Sequence, residues 1–101
     1  MIKHIILWNL KDEFSKSEKA KLKTQIKEGL EGLSGQIEGL NEIKVNIDPL
    51  ETSTADLMLC AVLKDEAALK LYANHPKHLE VANGIIRPNV KLRVCFDFEE
   101  K

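Results

Sequence analysis

Cysteine, glycine and aromatic residues are all scarce in this 101-residue chain, and each shortage excludes something. Cys60 and Cys95 are the only cysteines, both within apolar alternating segments. A short secreted domain held by a disulfide framework needs more, so reduced, buried thiols are expected. There is no glycine-rich phosphate loop, no Cys-x-x-Cys pair and no strained nucleophile turn. No excess of one charge is present either: fifteen Lys and Arg face sixteen Asp and Glu, for a net charge of -1. Neither nucleic acid nor an anionic membrane surface is therefore expected as a partner. Long hydrophobic runs are missing as well. The stretch Ile5-Ile6-Leu7-Trp8 is too short for a signal-peptide core, and no segment approaches membrane-spanning length. The expectation is a cytoplasmic protein.

What is present is one domain's worth of strong patterning, with 44% hydrophobic and 31% charged residues. Ile2 to Leu10 read as a strand, with Ile2, His4, Ile6, Trp8 and Leu10 on one face and Ile5 and Leu7 on the other. Ser15 followed by Glu18 forms a capping box. Leu22, Ile26, Leu30, Leu33 and Ile37 then recur at helical spacing, beside a solvated basic side at Lys16, Lys19, Lys21, Lys23 and Lys27. Gly29, Gly32 and Gly35 weaken the second half, so the helix should fray or end near Gly35.

Ile43, Val45 and Ile47 alternate as a half-buried strand, and Ala55 to Leu63 is apolar on both faces. Asp65 can cap a helix carrying Ala68, Leu69 and Tyr72. Asn74-His75-Pro76 breaks it and starts a second piece with Leu79, Ala82, Ile85 and Ile86. A final strand alternates Val90, Leu92, Val94, Phe96 and Phe98 against Lys91, Arg93, Cys95 and Asp97.

The order β-α-β-β-α-β predicts an α+β, ferredoxin-like fold, a four-stranded antiparallel sheet with helices on one face. Helices can cover only one side of such a sheet, yet the first and third strands are apolar on both. The bare face calls for a partner, most economically a second copy packed sheet to sheet.

The run Tyr72-Ala73-Asn74-His75-Pro76-Lys77-His78 holds two of the three histidines and the one tyrosine. With the opening Ile2-Lys3-His4-Ile5-Ile6-Leu7-Trp8 and the closing Val94-Cys95-Phe96-Asp97-Phe98, it resembles the stress-responsive dimeric α/β-barrel (Dabb) family across nearly the whole chain. The resemblance implies one Dabb domain over residues 1–101, a dimeric barrel, and a small-molecule pocket between sheet and helices. Most members have no assigned reaction. A plant member, olivetolic acid cyclase, closes a polyketide chain by aldol condensation without a cofactor.

Imidazoles near neutral pKa beside a phenol suit proton transfer. His78 is read either as a general base oriented by Asp97, the pairing that the family resemblance implies, or as a surface histidine satisfied by a backbone carbonyl. Asp97 lies among apolar residues, where a bare carboxylate is costly. Tyr72 and His4 are the candidates to bind a carbonyl or enolate oxygen, or else are satisfied core residues. Ile6, Trp8, Ile26, Leu57 and Leu59 are the expected pocket lining. Leu57 and Ile26 replace a histidine and a tyrosine of the plant cyclase, which makes this pocket more apolar. No metal or cofactor is expected, and His75 reads as a cap. The functional expectation is a cofactor-independent proton-transfer enzyme of cyclase or isomerase type. The alternative is a non-catalytic, stress-responsive binding or regulatory domain, and a monooxygenase-like activity ranks third.

Overall fold

The computed structural model describes all residues, 1–101. Its elements are β1 (Ile2–Leu10), α1 (Lys16–Glu31), β2 (Leu40–Asn46), β3 (Leu57–Leu63), α2 (Glu66–Asn74), α3 (Pro76–Val81) and β4 (Val90–Glu99). The strands form one antiparallel sheet in the order β2-β3-β1-β4. This is the ferredoxin-like plan expected from the pattern.

Alternation decides which side is buried. Ile2, Ile6, Trp8 and Leu10 of β1 join Leu57, Leu59, Ala61 and Leu63 of β3 beneath the helices, against Ile26 and Leu30 of α1 and Ala68 and Tyr72 of α2. The capping box at Ser15 is complete, with the Glu18 N–H donating to Ser15 Oγ and the Ser15 N–H to Glu18 Oε1. Asp65 caps α2 by accepting from the Ala68 N–H at 2.8 Å.

Helix α1 ends earlier than its apolar stripe. Gly32 terminates it, and left-handed Gly35 (φ 76°) and Gly39 (φ 84°) lead the chain through turns into β2. Leu33 and Ile37 are buried nonetheless, carried into the core by those turns and not by a helix face. At Gly39 a side chain is doubly excluded, since a Cβ there would lie 2.6 Å from the Ala68 Cβ.

The break at His75-Pro76 is as expected. His75 closes α2 and caps α3, its Nδ1 accepting from the Lys77 N–H at 3.1 Å. Less expected is a π-helical turn at Ala82–Ile86, where the Arg87 N–H donates to the Ala82 carbonyl at 2.9 Å. Such a widened turn shifts the side chains that follow it and recurs at functional sites.

Strand β4 lies at the sheet edge beyond the cover of the helices, so nearly all of it is exposed. The two thiols are accordingly not both buried: Cys95 is exposed and Cys60 half-buried. They lie on opposite faces of the sheet, Cys60 opposite Ile5 and Cys95 opposite Ile6, and both are free. No helix is long and apolar enough to cross a membrane.

Candidate active site

A cavity of about 350 Å³ opens between the sheet and α2–α3. From β1 it takes His4, Ile6 and Trp8, from α1 Leu30, and from β3 Leu59. Tyr72 and Ala73 of α2, His78 of α3, and Ala82 and Ile86 of the π-turn form its roof, and Arg87 and Arg93 complete the lining. The volume is at the small end for ligand pockets, and the walls are mainly apolar.

Tyr72 is the centre of the arrangement. Its ring stands edge-on to His4, with centroids 6.0 Å apart, and tilted against His78 at 4.4 Å. The side chain is 1% exposed, and burial holds its hydroxyl far above the usual phenol range, so it remains a hydrogen-bond donor. That hydroxyl has no protein partner, and neither has the indole N–H of Trp8, which is 3% exposed. Buried donors are almost always paired, so these two orphans, both in residues that line the cavity, each lack the acceptor that burial normally requires.

The expected pairing of His78 with Asp97 is not formed. Asp97 faces His4 directly in the β1–β4 register, and its Oδ1 accepts from His4 Nδ1. A cross-strand neighbour thus takes the carboxylate. The imidazole of His78 turns back along its helix instead, Nδ1 donating to the Ala73 carbonyl at 3.2 Å. With Nδ1 so engaged, Nε2 is the basic nitrogen of each ring. Burial, with the cationic field of Arg87 and Arg93, lowers the His78 pKa and favours a neutral imidazole.

Cys95 completes a cluster with this dyad, its Sγ 3.5 Å from Asp97 Oδ1 and 3.9 Å from His4 Nδ1. His4, Cys95 and Asp97 are a donor set of metal-ligating type, all within 4.8 Å. Burial and the adjacent Asp97 raise the Cys95 pKa, which favours the thiol. His75 is used in capping and takes no part.

The structure therefore brings His4, Tyr72, His78, Ile6, Trp8 and Leu59 to one cavity, with Asp97 behind His4. Ile26 and Leu57 do not line it. Both are fully enclosed, Ile26 in the inward stripe of α1 and Leu57 at the end of β3 opposite Trp8. The residues missed by sequence reasoning are Leu30, Ala73, Ala82, Ile86, Arg87 and Arg93. A signal for Arg93 was present, because the alternation that turns Asp97 toward the helices turns Arg93 the same way. Ile86 and Arg87 depend on the π-turn, which leaves no periodic trace.

Known structures share this fold. A dimeric protein of unknown function from Bacteroides fragilis, itself ferredoxin-like, is 28% identical with a TM-score of 0.90, over 98% of this chain and 95% of that one. A dimeric ferredoxin-like protein of unknown function from Thermobifida fusca is 26% identical with a TM-score of 0.76, over 96% and 88%. Hydroxynitrile lyase from Passiflora edulis, at 15% identity and a TM-score of 0.71 over 96% and 90%, shares the fold. No protein of curated function matches the chain. The model of the stress responsive A/B barrel domain, Dabb, matches residues 2–100, and the chain belongs to that family.

Proposed function

We propose that the chain is a small-molecule enzyme of the Dabb family that moves a proton beside a carbonyl without a cofactor. The observation that carries this reading is the pair of buried, unpartnered donors, Tyr72 Oη–H and Trp8 Nε1–H, in residues lining the cavity that two imidazoles also border. They would bind the carbonyl oxygen and strengthen their hold as it becomes an enolate. His4 is the base. Asp97 fixes its Nδ1–H tautomer and stabilises the imidazolium, so Nε2 takes the proton from the α-carbon and returns it to a neighbouring atom. His78, neutral at pH 7, accepts from a ligand hydroxyl.

A second reading, a non-catalytic binding domain, draws on one feature. Asp97 is 38% exposed in its side chain and bridges β1 to the edge strand, as a structural lock would. Deuterium exchange separates the two. A panel of aryl ketones in D₂O, followed by proton NMR, should lose α-protons faster with the protein than with buffer. His4→Gln should abolish the gain, and Tyr72→Phe should reduce it by about 10-fold or more. Exchange at the buffer rate across the panel, with the ketones still bound, would leave the binding reading in place of the enzyme.

The functional unit we infer is a homodimer. Outside the helix layer, Leu92, Val94, Phe96 and Phe98 of β4 are exposed beside Leu7 of β1, with half-buried Ile5, Met58, Cys60 and Val62. An apolar face of this extent is a docking surface. The relatives from Bacteroides fragilis and Thermobifida fusca are dimeric, which supports a second copy as its occupant.

A further inference from the structure

Arg87 and Arg93 are the only arginines in the chain, and both line the cavity. Every lysine lies elsewhere, and no Asp or Glu contributes to the walls. Neither arginine belongs to any ion pair of the structure, although four other cation–anion pairs form. Arg87 is held from one side by Asn83, whose side-chain oxygen accepts from its Nη1. Next to the cavity a second hollow of about 200 Å³ is lined by the same Trp8, Ile86, Arg87 and Arg93, so both arginines border both spaces. Lys91, the further cation there, is engaged by Asp12 at 2.6 Å.

Lysine serves this chain for its solvated surface, whereas a guanidinium offers a planar fork matched to a planar anion. Two such forks with no carboxylate partner, bordering a mainly apolar cavity, lack one thing in common. We propose that the ligand is an aryl- or alkyl-carboxylate, its carboxylate held between Arg87 and Arg93 and its apolar body inside against Trp8, Tyr72 and Leu59. The field of both cations already reaches His78, where it opposes protonation, and that of Arg93 reaches the Tyr72 hydroxyl. An anion between them would neutralise it. This inference rests on the pocket reading above and adds the ligand's class to it.

The chain has a single tryptophan, and it lines the cavity, so its emission reports binding there. Benzoate, phenylacetate and cinnamate are titrated beside their neutral amides and phenyl phosphate. At least one acid should quench Trp8 saturably and bind about 10-fold or more tightly than its amide, a difference of about 1.4 kcal/mol. Arg87→Met and Arg93→Met should each remove most of that preference while leaving the amide's affinity unchanged, and Arg93→Lys should restore part of it. Both arginines are exposed, and unchanged Trp8 emission without ligand verifies that the variants fold. Amides binding as tightly as acids, or a preference that survives both substitutions, would overturn the proposal and leave the pocket standing. Phenyl phosphate binding 10-fold more tightly than every acid would overturn the carboxylate. No saturable change with any compound would remove the pocket reading and this one together.

Discussion

A buried hydrogen-bond donor without an acceptor costs about 1–3 kcal/mol, and the Tyr72 hydroxyl is such a donor. Replacing Tyr72 by Phe deletes the orphan and keeps the ring between His4 and His78. The variant is expected to unfold at the same urea concentration as the parent or a higher one, while its ligand affinity falls. A loss of more than about 1 kcal/mol would mean that the hydroxyl is structurally satisfied. His78 makes a prediction of opposite kind. Its pKa in the fold lies below the ordinary value of 6.5, so the unfolded chain takes up the proton first as pH falls. The stability held above pH 6.5 is then lost progressively below it. Thermal melts from pH 7.5 to 5 should show this fall, and His78→Gln should flatten it; an unchanged slope would contradict the assignment.

At the scale of elements, most of the fold is legible in local chemistry. β1 runs from Ile2 to Leu10 as alternation requires, the Ser15 and Asp65 caps start their helices, and His75-Pro76 divides α2 from α3. Legibility fails where a result depends on long-range register. That Asp97 meets His4 and not His78 follows from how β4 lies against β1, 93 residues apart in the chain. The π-turn at Ala82–Ile86 is likewise invisible to a helical period. Gly39 shows how closely these elements approach. Its left-handed φ and its proximity to Ala68 predict that Gly39→Ala costs roughly 1–3 kcal/mol by urea unfolding. A neutral outcome would mean that the turn before β2 relaxes freely.

The whole molecule is two-faced. One side of the sheet carries the helices and the cavity; the other presents Phe96 at 66% exposure and Val94 at 49%. Dimerisation through this second face predicts a single two-protomer species at micromolar concentration by analytical ultracentrifugation. Phe96→Asp, which buries a charge in the interface, should shift the species to monomer. A parent protein that sediments as a monomer would contradict the packing. The two-faced β1 and β3 made this face readable in the sequence, whereas the cavity, enclosed by six elements and the π-turn, was not. One resonance reports on what that cavity does. The only indole N–H of the chain belongs to Trp8, points to no protein acceptor, and gives a single Nε1–H peak in a ¹H–¹⁵N spectrum. Addition of the aryl ketones and carboxylates should move that peak downfield and saturably as a ligand oxygen accepts from it, with a smaller shift in Tyr72→Phe. A peak that stays in place with every compound, while the rest of the spectrum stays folded, would contradict a ligand-binding cavity in this protein.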